Sequence, residues 1–110
     1  MNIYQRAAQF WAVLALAASN RQILNYKMLS RLVGMPPAAL GGMLEPIQTF
    51  CQRNNLPPLT VLVVQQDSGL PGTGFIAAAD IPKAQADVFN YDWLDFGAPS
   101  PDNIKNIVEG

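Results

Sequence analysis

Residues 25–44 read NYKMLSRLVGMPPAALGGML and carry the signals for two successive helices. Asn25 is of a type that caps helix N-termini and Gly34 is of a type that ends helices, so a short helix is predicted between them. Three apolar residues share the face of this helix that we expect to be buried: Met28, Leu29 and Leu32.

The stretch after Gly34 predicts a second, longer helix. Apolar residues recur at helical spacing from residue 37 to residue 53. Pro46 cannot donate a backbone hydrogen bond, so we expect a kink or a new helix at that position. Two helices joined by a short turn are typical of helix-turn-helix modules.

The neighbouring segments add a third helix and a hairpin to this pair. Residues 3–18 place apolar side chains at the spacing of an amphipathic helix. Residues 59–66, LTVLVVQQ, form a β-branched run of strand length. Residues 75–79 are expected to return as the second strand of the hairpin, after a turn rich in glycine.

The C-terminal third predicts further helices and completes the fold class. One helix is expected over residues 82–96, and another after Ser100 and Pro101, an N-cap followed by proline. Three N-terminal helices, a β-hairpin and C-terminal helices are the order of a small winged-helix-like α+β domain. No linker divides the chain, so residues 1–110 are predicted to form a single domain.

The charge of the chain is low and unevenly distributed. Charged residues make up 14% of the 110 residues, below the ~25% of typical soluble domains. Residues 1–60 hold five basic residues against one acidic residue, whereas residues 61–110 hold two against seven. This asymmetry indicates a side that faces a polyanion or pairing between the two halves, and a scattered solvated surface is the plain alternative.

The single cysteine and the short apolar runs favour a cytoplasmic protein without membrane association. Cys51 cannot form an intramolecular disulfide, which favours a reducing compartment. The first 20 residues imitate a signal peptide, but Gln9 interrupts the apolar stretch. The remaining run over residues 10–18 is far shorter than the ~20 residues that cross a bilayer.

Composition excludes the common catalytic centres. The chain has no histidine and one cysteine, so it cannot supply a Ser-His-Asp triad, a Cys-His dyad, a histidine metal site or a thiolate zinc site. Its acids match no EF-hand loop, and its glycine-rich stretch is better explained by a turn than by a phosphate cradle. A carboxylate pair is the remaining alternative, since Asp92 and Asp95 lie three residues apart on a predicted helix, and a solvated acidic face is its plainer explanation. We predict a non-enzymatic protein without cofactor or metal.

Residues 25–75 also carry a family resemblance. A tyrosine opens a short helix that a glycine closes, an alanine-rich helix follows, and NNLPPLTVLVVQQDSGLPGTGF then gives Asn, Pro, an apolar strand and a glycine-rich turn. In this order the segment resembles the winged-helix DNA-binding C-terminal domain of alkylguanine-DNA alkyltransferases and alkyltransferase-like proteins. The resemblance implies a DNA-binding module.

The departures from this family limit what the resemblance implies. Where the family has its Pro-Cys-His-Arg motif, the chain continues from Pro58 into LTVLVV, with neither acceptor cysteine nor histidine, so alkyl transfer is excluded. Leu40 takes the place of the arginine that the family inserts into the base stack, which argues against nucleotide flipping. Tyr26 matches the family's tyrosine beside the flipped nucleotide, and a buried structural tyrosine is the alternative.

The DNA hypothesis rests on small and basic residues of the N-terminal half. The helix in PPAALGGML has almost no side-chain donors and cannot read a major groove, but its small residues would permit close approach to a minor groove. Those small residues are Ala38, Ala39, Gly41 and Gly42. The candidate phosphate contacts are Arg21, Lys27, Arg31 and Arg53.

The competing hypothesis is a protein-interaction module or a small inhibitor, with a homodimer among its forms. Small residues on a helix face also permit close packing against another protein. The stretch VFNYDWLDF at 88–96 adds a candidate aromatic and acidic surface, since Trp and Tyr are favoured interface anchors. Its candidate contact residues are Phe89, Tyr91, Asp92, Trp93 and Asp95. Buried aromatics with the acids turned outward, or folding over the chain's own basic helices, are the alternatives.

Overall fold

The computed structural model describes residues 2–110, which form six α-helices and a two-stranded sheet. The helices are α1 (Ile3–Ser19), α2 (Tyr26–Val33), α3 (Leu40–Arg53), α4 (Ile81–Asn90), α5 (Trp93–Phe96) and α6 (Pro101–Glu109). The strands are β1 (Leu24–Asn25) and β2 (Val63–Val64), and two 3₁₀ helices span Pro37–Ala39 and Leu59–Leu62. This content confirms the predicted α+β class.

Helix α1 forms the centre of the fold. The Asn2 side chain accepts a hydrogen bond from the backbone N–H of Gln5, and the Gln5 side chain accepts one from the backbone N–H of Asn2, which gives a capping box. The apolar face of α1 packs against α3, α6, α5 and the 3₁₀ helix Leu59–Leu62. None of the helices within residues 2–110 is long and apolar enough to span a bilayer.

Helix α2 begins and ends at the predicted residues. The Asn25 side chain accepts a hydrogen bond from the backbone N–H of Met28, and Gly34 ends the helix with a φ of 70°, in the left-handed region that favours glycine. The predicted buried face is only partly correct, because Leu29 is buried while Met28 and Leu32 are exposed. The neighbours of α2 cover one side of it only.

Helix α3 continues through Pro46 without a break. It runs from Leu40 to Arg53, and the 3₁₀ helix Pro37–Ala39 leads into it. Of the two predicted outcomes at Pro46, a kink or a new helix, the new helix is therefore wrong, and the kink stays a prediction. Pro46 is itself buried, so packing on the core holds the helix together where one backbone hydrogen bond is missing.

The predicted hairpin is wrong in its strands. Residues 59–62 form a 3₁₀ helix, and β2 pairs in parallel with β1 rather than with residues 75–79. Of the hairpin there remains one antiparallel bridge between Val64 and Pro71. Residues 59–64 of this apolar run are all buried. Their apolar composition therefore indicates that the segment is buried and does not show that it pairs as a strand.

The C-terminal helices cover the open side of α1 and α3. The predicted helix 82–96 is divided into α4 and α5, because Tyr91 is extended and the Asp92 side chain starts a new N-cap by accepting from the N–H of Asp95. The predicted start of α6 is confirmed: Ser100 caps the helix in a capping box with Asn103. Helix α6 then packs on α1 and α3.

Cys51 belongs to the core. It is fully buried on α3 in one cluster with Leu44 and Ile47, as its position on the apolar face predicts. Burial away from water raises the pKa of the Cys51 thiol to about 11, so the thiol stays protonated at neutral pH. A protonated, shielded thiol is a poor nucleophile, which fits a structural role.

Candidate functional site

Helices α2 and α3 bring most of the predicted DNA-binding residues to one region of the surface. Tyr26, the first residue of α2, and Gly41, in the first turn of α3, line the same cavity. The 3₁₀ helix Pro37–Ala39 contacts both α2 and α3 and connects them. We call this region the α2–α3 surface and define it by Lys27, Arg31, the 3₁₀ helix Pro37–Ala39, Gly41 and Gly42.

Two basic side chains of this surface are free to bind an anion. Lys27 and Arg31 are exposed and lie four residues apart on α2. Within residues 2–110 the one ion pair joins Lys83 to Asp87, on α4. No acidic side chain in that range therefore neutralises Lys27 or Arg31, and both can contact phosphate groups.

Gly41 and Gly42 leave open space beside α3. A Cβ atom added at either position would meet no atom within 4 Å, and both residues are exposed, as is Ala38, while Ala39 is half-buried. Glycine in a helix is about 0.5–1 kcal/mol less favourable than alanine. Packing within the chain therefore gives no reason for two successive glycines at this point.

The N-terminal end of α3 also lacks a side-chain cap. Neither Pro36, before the 3₁₀ helix, nor Ala39, before α3, provides a capping side chain. The backbone N–H groups of Ala39 and Leu40 donate to the carbonyl oxygens of Pro36 and Pro37, so the positive end of the helix dipole rather than these N–H groups would attract an anionic group.

Two of the predicted basic residues are used elsewhere. Arg53 lies at the other end of α3, about 18 Å along the axis from Gly41 at 1.5 Å per residue, and its guanidinium donates to the carbonyl oxygens of Ile107 and Val108 on α6. The Arg21 guanidinium lies 5.4 Å from the ring centroid of Phe89 and donates to Asn90. Both arginines hold the C-terminal helices in place.

Of the five residues of the predicted aromatic and acidic surface, Trp93 is buried, Phe89 and Tyr91 are half-buried, and Asp92 and Asp95 are exposed. Trp93 is 1% exposed, and its indole N–H donates to the carbonyl oxygen of Val88 at 2.8 Å. Its ring lies edge-on to Trp11, with 5.6 Å between centroids, and Tyr91 packs on its other side. Because the ring of Trp93 is buried by core packing, the expectation that this residue contacts a partner is wrong. Phe89 is half-buried under Arg21.

Asp92 and Asp95, the acidic residues of that predicted surface, are exposed, but Asp92 also forms a hydrogen bond within the chain. The Asp92 side chain caps α5 by accepting from the backbone N–H of Asp95 at 3.0 Å. An aspartate in this position stabilises the start of a helix by ~1 kcal/mol. The spacing of Asp92 and Asp95 thus has a local structural reason.

A cavity of about 400 Å³ lies between α3 and the loop of residues 71–76, and the sequence analysis did not predict it. Gln48 holds the loop: its side-chain amide donates to the carbonyl of Gly74 at 3.1 Å and accepts from the N–H of Ile76 at 2.9 Å. Tyr26 closes another side, with its hydroxyl so near Gly72 that an added Cβ there would lie 2.5 Å from it. The feature of the sequence that could have indicated this cavity is Gln48, a glutamine at an otherwise apolar position of α3.

Comparison with known proteins adds no relative. No family model, no curated protein and no solved structure matches this chain. The resemblance to alkyltransferase domains stays a prediction. Leu40, which stands where that family inserts an arginine, is fully buried in the core. Residues 2–110 contain no cluster of three or more metal-binding side chains.

Replacing both glycines by alanine, Gly41→Ala with Gly42→Ala, is expected to raise the unfolding free energy by about 1 kcal/mol. Alanine has the higher helix propensity, and the added methyl groups meet nothing. Gly34→Ala is the matched control and should lower stability by ~1 kcal/mol, because φ is +70° there. Chemical denaturation measures both. A less stable double variant would contradict the open space at α3.

Proposed function

We propose that the protein is a non-enzymatic helix-turn-helix module that binds duplex DNA through the α2–α3 surface. The observation that carries the proposal is the pair of exposed glycines on α3 together with two exposed cations on α2, Lys27 and Arg31, that form no ion pair within residues 2–110. Such a surface allows a sugar-phosphate backbone to approach the helix closely and gives it two charged contacts. A cytoplasmic location is part of the same proposal.

The chemistry of this surface favours binding with little sequence preference. Ala38, Ala39, Gly41 and Gly42 offer no side-chain donors or acceptors to base edges. Binding would then depend on phosphate contacts and groove shape. Gly41→Ala with Gly42→Ala should therefore weaken duplex binding while it stabilises the fold, a combination that a purely structural role of the glycines would not produce.

The salt dependence of duplex affinity tests this proposal. Because the exposed side chains of Arg21 and Arg53 bond to other parts of the chain, two phosphate contacts are expected instead of the four that the sequence predicts. At about −0.9 per contact, the slope of log Kobs against log salt should be near −1.8, rather than the −3.6 or so of four contacts. Fluorescence anisotropy with a random 20-base-pair duplex measures this slope, and a flat line would remove the proposal.

A protein partner is the second candidate, and one observation favours it. Met28 and Leu32 are 46% and 61% exposed on α2, one turn apart and next to Lys27 and Arg31. Apolar side chains add nothing to phosphate binding but suit a protein contact. Light scattering separates the candidates: concentration-dependent self-association that Met28→Ser with Leu32→Ser abolishes, without any DNA binding, would favour a homodimer.

A further inference from the structure

Helix α2 presents an outer face that combines apolar and basic side chains. We define this face by Lys27, Met28, Arg31 and Leu32, which lie within about 140° of one another around the helix axis, since successive residues turn by about 100°. Met28 is 46% exposed and Leu32 is 61% exposed, whereas Leu29, on the other side of α2, is buried in the core. The fold therefore leaves the outer face of α2 uncovered.

Helix α5 presents a small surface of similar composition and opposite charge. We call it the α5 surface and define it by Asp92, Leu94, Asp95 and Phe96, all of which are exposed. Leu94 is 72% exposed and Phe96 is 40% exposed. Neither aspartate forms an ion pair within residues 2–110. Both surfaces thus offer exposed apolar side chains next to unpaired charges, which are positive on α2 and negative on α5.

The chain keeps these two surfaces apart. The Arg6 guanidinium on α1 donates to the carbonyl oxygen of Val33 at the end of α2 at 3.1 Å, whereas Trp11 on α1 packs edge-on to Trp93 of α5. Arg6 and Trp11 are five residues apart, which corresponds to about 140° around the axis of α1. Helices α2 and α5 therefore lie against different sides of α1, and the cations of one do not pair with the aspartates of the other within the chain.

We propose that the outer face of α2 docks on the α5 surface of a second copy of the chain. Met28 and Leu32 pack against Leu94, while the two cations of α2 lie opposite the two aspartates of α5. Charge complementarity of this kind orients a contact and speeds association. Stable interfaces hold about 20–30 residues on each side, far more than these surfaces do, so we expect a weak complex with a Kd on the order of 0.1–1 mM.

Self-association goes beyond DNA binding and does not depend on it, although both use Lys27 and Arg31. A copy whose α2 is covered cannot place these cations on phosphate, so the two contacts exclude each other. At protein concentrations far below the Kd of self-association the chain is monomeric, and a DNA titration there is unaffected. Leu94→Ser lies outside the α2–α3 surface and should leave duplex affinity unchanged.

Charge-neutral variants at the apolar positions test the contact in the absence of DNA. Met28→Ser with Leu32→Ser disables α2, and Leu94→Ser disables α5. All three side chains are exposed, so the fold should be retained. In sedimentation velocity at about 1 mM, the original chain should self-associate and each variant should stay monomeric. The control Leu16→Ser, at a 61% exposed position outside both surfaces, should associate as the original chain does.

An equimolar mixture of the α2 variant and the α5 variant tests whether unlike surfaces meet. The mixture still contains one intact surface of each kind, so it should form a heterodimer although neither variant associates alone. An increase in salt from about 50 to about 500 mM should weaken association at least about threefold, because the charges across the contact are screened.

Three results would overturn the proposal. The first is an original chain that is monomeric at about 1 mM, which would leave the DNA-binding proposal untouched. The second is self-association that Leu94→Ser retains, since two α2 helices would then pair with each other. The third is a mixture of the two variants that stays monomeric while the original chain associates.

Discussion

Trp93→Ala is expected to lower the unfolding free energy by about 3–5 kcal/mol, which is the range for large aromatic side chains removed from a core. The Trp93 ring is 1% exposed and packs edge-on to Trp11, and its N–H bonds to the carbonyl of Val88. Removing it leaves a cavity where α5 meets α1 and takes away one of the two hydrogen bonds that the Val88 carbonyl accepts, the other coming from the backbone N–H of Tyr91. For a small domain this is a large part of a total stability of roughly 5–15 kcal/mol.

The residue next to Trp93 provides the control. Leu94 is 72% exposed, so Leu94→Ala should change the unfolding free energy by no more than ~0.5 kcal/mol. Urea denaturation followed by circular dichroism measures both variants. Comparable small effects would mean that residues 93–96 do not seal the core, and Trp93 would again be available to a partner.

The parts of the fold that the sequence predicts well are those fixed by local chemistry. Asn25 and Ser100 cap helices because each side chain bonds to a backbone N–H three residues ahead, an interaction that needs no distant partner. Gly34 ends α2 because it adopts a positive φ. Such signals lie within one turn of chain and can be read directly.

The prediction of a hairpin was wrong because strand pairing depends on contacts between residues that are distant in sequence. LTVLVV has the composition of a strand, but the same composition suits any fully buried segment. β1 and β2 pair in parallel across about 40 residues, and no local pattern encodes that register. The burial of Trp93, which removes this residue from the predicted partner surface, was not predictable for the same reason, since it depends on packing against α1.

The candidate site was predictable in its charges but not in its geometry. Basic residues of a helix can be found in the sequence, yet their partners cannot. Arg53 reaches α6 and Arg21 covers Phe89, whereas Lys27 and Arg31 remain free. The cavity between α3 and the loop of residues 71–76 also includes residues of α2 and β2, and it exists only once the chain has folded.

Charge reversal on α2, Lys27→Glu with Arg31→Glu, is expected to weaken duplex binding by about 100-fold. A hydrogen bond to a charged group contributes roughly 1.5–3 kcal/mol, so the loss of two phosphate contacts corresponds to ~3 kcal/mol. Both side chains are exposed, and neither forms an ion pair within residues 2–110, so the fold should be unaffected. The salt slope should fall toward zero with the affinity.

A second double charge reversal distinguishes the loss of phosphate contacts from the change in the net charge of the protein. Lys83→Glu with Lys105→Glu changes the net charge by the same amount on α4 and α6, and both lysines are exposed. Lys83 loses its pair with Asp87, but an exposed pair of this kind contributes little to stability. This control variant should bind duplex DNA within a few-fold of the original chain.

The anisotropy titration of a random 20-base-pair duplex with the original chain and these two variants, at one low salt concentration, tests the α2–α3 surface most directly. The DNA-binding proposal predicts that the reversal at Lys27 and Arg31 removes binding while the reversal at Lys83 and Lys105 retains it. Equal losses in the two variants, or unchanged binding after the reversal on α2, would contradict it.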